Sequence, residues 1–118
     1  MANNLKKIIP LEYDEAIALV EYLELKGFLF THIPAETFTR NWGTRMKNKR
    51  MGVRKGFPDY AIIVKDMLVF VELKRIKGSK IAPEQLRWNE ELNKINGVVA
   101  IIARGADQAI KYIENIIK

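Results

Sequence analysis

Two short apolar segments separated by only two residues constrain the fold of this chain most strongly. Residues 60–64 and 67–73 are rich in β-branched and aromatic side chains, and Lys65 and Asp66 lie between them. The spacing predicts a β-hairpin, although Lys-Asp is not a strong turn pair. If these two residues form the turn, Tyr60 faces Val71, and the pairing of all positions between them follows.

The rest of the chain alternates helices and strands around this hairpin. Apolar residues recur at helical spacing in 11–26, with Gly27 as the stop, and Pro83 suits the first turn of a later helix. The predicted elements are a helix over 11–26, a strand over 28–33, the hairpin, a helix over 83–95, a wholly apolar strand in a buried sheet position over 98–103, and a helix over 107–117. This order, α-β-β-β-α-β-α, predicts an α/β fold with a mixed sheet flanked by helices. At 118 residues the chain has the size of one domain, so we predict a single domain over residues 1–118.

The net charge is concentrated in one segment. Lys and Arg number 20 against 14 Asp and Glu, a net charge of +6, yet residues 37–58 contain no acidic residue and seven basic ones. Such a block is typical of a surface that binds a polyanion, and a solvated loop is the alternative. This basic segment, placed at about residues 40–55, contains Arg40, Arg45, Lys47, Lys49, Arg50, Arg54 and Lys55.

The composition excludes several other kinds of protein. There is no cysteine and only one histidine, so disulfide-stapled modules, zinc–thiolate sites, thiol nucleophiles and most histidine-rich metal sites are excluded. The longest apolar run has six residues (98–103), whereas a membrane span needs about 20, and the first residues lack the apolar core of a signal peptide. We therefore expect an intracellular, cytoplasmic protein that does not bind membranes.

The hairpin also predicts a close pair of carboxylates. In its register Asp59 faces Glu72, and facing Cβ atoms lie about 4.5–5.5 Å apart, where like charges are destabilising. A divalent cation would remove the conflict, and Lys74, on the same strand face as Glu72, could hold a water or offset developing negative charge. Oxygen ligands of this kind suggest Mg²⁺ or Mn²⁺. Alternatively, Asp59 is an ordinary turn residue, and Glu72 and Lys74 form a surface ion pair.

Other side chains are candidates for the same site. Glu12 lies in line with the apolar face of the first helix, where an acidic group is costly unless it is paired or binds metal. Its alternative is a favourable contact with the helix dipole, and Glu15 lies at the flank of that face. From the pattern alone, Gln85 is an ordinary exposed residue at the start of its helix. His32 is better explained as structural or exposed, and Trp88 as core packing.

Together these residues resemble the signature of the PD-(D/E)XK nuclease superfamily, and more narrowly a stand-alone VRR-NUC (virus-type replication-repair nuclease) domain. The resemblance covers nearly the whole chain from Pro10. Its motifs are Pro10-Leu11-Glu12, His32-Ile33-Pro34, Gly52 to Asp59, Val71-Glu72-Leu73-Lys74, Pro83-Glu84-Gln85, and the strand 98–103 followed by Arg104-Gly105. The residues Ala35-Glu36 depart from the family, which often has asparagine after the histidine motif.

The resemblance implies a restriction-endonuclease-like fold and a metal-dependent DNA endonuclease. Asp59 and Glu72 would bind Mg²⁺, or Mn²⁺ in its place, and Glu12 would complete the metal environment. Lys74 would orient or activate the attacking water, and Gln85 would support the site from its helix. The resemblance also implies a homodimer that acts on branched DNA such as four-way (Holliday) junctions.

Two other functions are compatible with the sequence. One is a non-catalytic nucleic-acid-binding module of the same fold, which the presence of Asp59, Glu72 and Lys74 argues against. The other is an accessory subunit of a repair or replication complex, because a domain of this size has no room for a separate targeting domain. The sequence leaves open whether RNA is a substrate and whether the source is viral or cellular.

Overall fold

The computed structural model describes residues 12–34 and 41–118 of the chain. Its helices and strands in chain order are α1 (Glu12–Lys26), β1 (Leu29–His32), α2 (Trp42–Arg50), β2 (Tyr60–Val64), β3 (Met67–Lys74), α3 (Pro83–Leu92), β4 (Val98–Arg104) and α4 (Ala106–Ile117). The predicted order is confirmed, and the basic segment, which the sequence left unassigned, contributes the additional helix α2. Within the described ranges, no helix is long and apolar enough to cross a membrane.

The predicted hairpin forms between β2 and β3 in the predicted register. Tyr60 pairs with Val71, and Val64 pairs with Met67. Lys65 has a φ of 57°, which lies in the left-handed region that tight hairpin turns use. The turn forms without glycine. Its two residues specify the register only weakly, and the buried faces of the two strands specify it strongly.

The sheet has the strand order β1-β2-β3-β4, in which β3 and β4 run parallel and the other neighbours antiparallel. The helix α3 lies in the crossover that a parallel pair requires. The prediction of a buried sheet position for the last strand is wrong, because β4 lies at an edge. The side-chain amide of Asn93 accepts from the N–H of Ala100 (2.8 Å) and donates to its carbonyl (2.9 Å), which covers this edge in place of another strand.

Apolar side chains cover both faces of β3. Val69, Val71 and Leu73 belong to the larger core, together with apolar residues of α1 and α4. Phe70 points to the opposite face and packs with Leu92 of α3. Side chains alternate along a strand, so Glu72 and Lys74, near the end of β3, lie on the same face as Phe70.

A buried carboxylate joins α1 to α4. Glu15 is 7% exposed, and its Oε1 atom accepts a hydrogen bond from the N–H of Ala106 (2.7 Å). Ala106 is the first residue of α4, whose preceding residue, Gly105, has no side chain that could act as a cap. Glu15 therefore supplies the missing acceptor at the positive end of this helix.

Replacing Glu15 should destabilise the fold. We expect Glu15→Ala to lower the free energy of unfolding by about 1–3 kcal/mol, because the buried N–H of Ala106 loses its partner. Glu21→Ala removes an exposed carboxylate from the same helix and should change stability by less than about 0.5 kcal/mol. Urea unfolding followed by circular dichroism measures both, and equal stability of the two variants would contradict the capping role of Glu15.

Candidate active site

Two acidic side chains meet at one end of the hairpin. Asp59 directly precedes β2, and Glu72 lies near the end of β3. The Oδ2 atom of Asp59 accepts a hydrogen bond from the backbone N–H of Leu73 (2.8 Å), which holds the carboxylate across the hairpin beside Glu72. The two carboxyl groups are close enough for each to shift the pKa of the other. The folded chain thus contains the close pair that the register predicts.

Burial makes this pair hard to ionise. Glu72 is only 6% exposed, and burial together with the charge of Asp59 raises the pKa of Glu72 to about 8. Burial also raises the pKa of Asp59, against the opposing effects of the Leu73 N–H, His32 and Lys74. The pair therefore holds a proton to a higher pH than isolated carboxyl groups do, and a bound cation would displace that proton.

Lys74 lies on the same face of β3 as Glu72, as strand alternation predicts. Its Nζ atom is 3.9 Å from Oε2 of Glu72, and the two side chains are only 12% and 8% exposed. The alternative of a surface ion pair is therefore wrong, since this pair is almost completely shielded from solvent. A buried ammonium group beside two carboxylates is well placed to stabilise negative charge on a third group that enters the site.

The side-chain amide of Gln85 connects the carboxylate pair to α3. Its Nε2 atom donates to Oε2 of Glu72 (2.9 Å), and its Oε1 atom accepts from the N–H of Ala82 (2.9 Å). Ala82 is the N-cap of α3, so this second bond satisfies a free N–H at the start of the helix. Because both ends of the amide are engaged, Gln85 fixes the orientation of the Glu72 carboxylate and is not the ordinary exposed residue that its pattern suggests.

Gly56 allows the chain to pass against the backbone of α3. Its φ is 90°, and a Cβ atom at this position would lie 2.7 Å from the backbone carbon of Glu84, so both conformation and space require glycine. The residues on either side of Gly56, Lys55 and Phe57, also contact α3. The indole N–H of Trp88 donates to the carbonyl of Lys55 (3.1 Å), and the ring of Phe57 packs edge-on against Trp88 with centroids 4.8 Å apart. The packing role predicted for Trp88 is confirmed.

Glu12, and not Glu15, is the acidic residue of α1 near the carboxylate pair. Glu12 lines a cleft of about 640 Å³ together with both carboxylates and the buried lysine. Burial and the charge of Asp59 raise the pKa of Glu12. In the described ranges, however, no three His, Cys, Asp or Glu side chains are grouped as a complete metal site. His32 lines the same cleft and lies against the ring of Tyr60, with centroids 5.0 Å apart.

Two grooves lead from the basic segment to the carboxylate pair. The first, the α2 groove, has a volume of about 670 Å³ and is lined by Trp42, Arg45, Met46, Lys49, Val53, Arg54 and Lys55. The second, the inner groove, has a volume of about 390 Å³ and extends along residues 53–57 to Asp59, Glu72 and Gln85. Residues 53–55 line both grooves, so the two grooves are neighbours, and a strand that crosses this segment would follow both as one path.

The seven predicted basic residues fall into three groups. Four of them line the α2 groove, namely Arg45, Lys49, Arg54 and Lys55. Lys47 and Arg50 belong to α2 but lie outside the lining of its groove, and Arg40 lies outside the described residues. The sequence reasoning missed the apolar part of the groove, including Trp42 and Met46, although their spacing of four residues would have placed them on one face of a recognised helix.

The raised pKa of Glu72 makes the stability of the metal-free protein depend on pH. A glutamate has a pKa near 4.5 in the unfolded chain, whereas the pKa of folded Glu72 is about 8. The folded state therefore binds the additional proton in this window, so stability is greatest below about pH 4.5 and falls as the pH rises through about 8. The expected loss is at most about 1.4 kcal/mol per pH unit.

Glu72→Gln should remove most of this slope, because an amide does not titrate. Glu21→Gln, at an exposed position of α1, is the matched control and should keep the slope of the wild-type protein. The measurement is urea unfolding in EDTA from about pH 5 to about pH 9. Equal slopes for the wild-type protein and Glu72→Gln would mean that Glu72 is not protonated in the folded state.

Two solved structures have a fold similar to that of this chain. No protein-family model matches the sequence, and no curated protein matches it either. One solved structure, described as a VRR_NUC domain protein, is 25% identical and superposes with a TM-score of 0.70 over 90% of this chain and 87% of that chain. Another, described as a VRR_NUC domain, is also 25% identical, with a TM-score of 0.61 over 87% of this chain and 94% of that chain. The similarity therefore extends over the whole fold and is not limited to one motif.

Proposed function

We propose that this chain, whose fold is similar to that of VRR_NUC domain proteins, is a metal-dependent, structure-selective DNA endonuclease. The observation that carries the proposal is the close pair of half-buried Asp59 and buried Glu72, with Lys74 at 3.9 Å from Glu72, beside grooves that are lined by basic side chains. Two carboxyl groups this close and this shielded from solvent are costly to ionise together. A non-catalytic binding module would have no use for such a pair.

The oxygen atoms of the pair suit Mg²⁺, with Mn²⁺ able to replace it. Asp59 and Glu72 would hold the ion, and Glu12 would complete its surroundings from α1. The fit is supported by the raised pKa values of both carboxyl groups, which reflect burial without enough neighbouring positive charge. A bound divalent cation would polarise the phosphodiester and acidify a nearby water.

The side chains of the protein supply the remaining parts of the reaction. Lys74 would hold the attacking water and offset the negative charge that develops on the phosphoryl oxygens. The water oxygen bonds to phosphorus as the bond to the 3′ oxygen breaks, which leaves a 5′-phosphate and a 3′-hydroxyl. Gln85 keeps Glu72 in one orientation through a hydrogen bond of 2.9 Å.

The proposed substrate is branched DNA such as a four-way (Holliday) junction, and the proposed active form is a homodimer. Phosphate contacts in the grooves would position DNA without reading its bases, which favours selection by structure. A two-fold dimer would match the symmetry of a four-way junction and present two sites to it. Leu29 and Ile63 face each other across the β1–β2 ladder and are 72% and 49% exposed, so this apolar surface is the proposed dimer contact.

Removing either reactive group should abolish most of the cleavage. We expect Lys74→Met and Asp59→Asn each to lower the cleavage rate roughly 10²- to 10⁴-fold while DNA binding persists, because the first removes the group that would hold the water and the second weakens a ligand of the ion. Lys111→Met, at an exposed position of α4, should cut as the wild-type protein does. The assay follows a labelled junction with Mg²⁺, with Mn²⁺ and with EDTA.

Unchanged cleavage by Lys74→Met, or cleavage that resists EDTA, would contradict the proposed chemistry. If the folded wild-type protein binds junctions but cuts none of them with either metal, the non-catalytic binding module is the correct function.

A panel of DNA structures at matched salt tests the substrate and the dimer together. We expect a four-way junction to be cut roughly tenfold or more faster than a flap, a splayed arm, a duplex or a single strand. Light scattering should give the mass of a dimer, and Ile63→Lys should give a monomer that no longer makes paired incisions. Equal rates on all substrates would contradict structure selectivity, and a monomeric wild-type protein would contradict the dimer.

A further inference from the structure

The α2 groove contains an aromatic side chain that packing within the described residues does not explain. No residue of α2 is buried, so this helix contributes nothing to the described core. Trp42 is 72% exposed, and among the described residues its ring makes no contact with another aromatic ring. Large aromatic side chains are usually buried, so one that is exposed to solvent beside a candidate site is a candidate contact for a ligand.

One side of α2 gathers apolar and cationic groups around this ring. Arg45, Met46 and Lys49 follow Trp42 at spacings of three, four and seven residues, which place all of them on one helix face. Met46 and Val53, each 38% exposed, extend the apolar surface of the indole across the groove. No described acidic residue lines this groove, so its electrostatic character is uniformly positive.

A flat apolar surface bordered by cations suits a nucleotide whose base is exposed. The π face of the base stacks on an aromatic ring, and the adjacent phosphates pair with Arg and Lys. In a duplex both faces of each base are covered by the neighbouring bases. Only the base of an unpaired nucleotide therefore has a free face that can stack on the indole ring of Trp42.

The continuity of the two grooves determines which part of the DNA strand this nucleotide belongs to. Residues 53–55 form the boundary between the α2 groove and the inner groove. The inner groove then ends at Asp59, Glu72 and Gln85. A strand that follows this path has one nucleotide beside Trp42 and a nearby phosphodiester at the carboxylate pair.

We propose that the α2 groove binds an unpaired nucleotide of the strand that is cut, with its base stacked on Trp42 and its phosphates against Arg45 and Lys49. This inference rests on the proposed function and narrows its substrate class to DNA with an unpaired nucleotide next to the cleaved bond. Junctions with an unpaired nucleotide at the branch belong to this class, and so do bulges. The helix α2 is then an element that selects the substrate, separate from the reactive groups.

Binding in EDTA tests the inference without cleavage. The full chain is titrated with junction and bulge DNAs that carry a single 2-aminopurine, either unpaired at the branch or paired within an arm. Stacking on Trp42 should quench the unpaired probe and leave the paired probe unchanged. Trp42→Ala should abolish the quenching and weaken binding of DNA with an unpaired nucleotide roughly 5- to 150-fold, whereas Trp42→Phe keeps part of both. Affinity for a plain duplex should change by less than about twofold.

A second pair of variants tests the cationic border. Arg45→Gln combined with Lys49→Gln should lower the slope of log affinity against log salt concentration by about 1.5, because two phosphate contacts are lost. Lys111→Gln combined with Lys118→Gln removes the same charge from the end of the chain, outside the α2 groove, and should leave the slope unchanged.

Equal quenching by the wild-type protein and Trp42→Ala would overturn the inference and leave the proposed nuclease function intact. Equal loss of affinity for duplex and for DNA with an unpaired nucleotide would do the same, because it would make Trp42 a general contact. A protein that quenches the unpaired probe through Trp42 but cuts no DNA with Mg²⁺ or Mn²⁺ would contradict the nuclease function alone, since the binding is measured without metal.

Discussion

The apposition of Asp59 and Glu72 across the β2–β3 hairpin is the interaction on which the rest of the site depends. Carboxyl groups shielded in this way lose solvation and repel each other when both are ionised, so the apolar packing of the hairpin must offset a considerable cost. The N–H of Leu73 and the amide of Gln85 each hold one carboxylate, at 2.8 and 2.9 Å, but both are neutral donors. The amino group of Lys74 is 3.9 Å from Glu72. The remaining deficit of positive charge is the basis on which a cation is proposed.

The helices on the two faces of the sheet serve this pair in different ways. On one face α1 and α4 complete the larger core, and the buried Glu15 carboxylate joins them at the N-terminus of α4. That core fixes β2 and β3 and therefore the register that brings the acidic side chains together. On the other face α3 makes polar contacts with the site itself through Gln85. Stability and orientation of the site are thus largely supplied by different layers.

The parts of the structure that depend on local pattern could be predicted, and the parts that depend on distant contacts could not. The hairpin register followed from turn length and strand alternation, which also placed Lys74 on the face of Glu72. The helix α2 was missed because its nine residues include no buried position, and an apolar stripe is the main helical signal in a sequence. The capping role of Glu15 depends on Ala106, far along the chain, and the edge position of β4 depends on β3 being its one neighbour in the described sheet. No local pattern encodes either contact.

The contacts of α3 with the segment before β2 have a consequence for where a strand would be cut. Trp88 holds the carbonyl of Lys55, the backbone of α3 lies against Gly56, and Gln85 holds Glu72. One helix therefore fixes both the boundary between the two grooves and the carboxylate beyond it. For a DNA strand that lies along both grooves, α3 would fix the distance between the nucleotide at the α2 groove and the phosphodiester at the carboxylate pair. The number of nucleotides between the held base and the broken bond would then be set by the protein, and it would be the same for every branched DNA that fits.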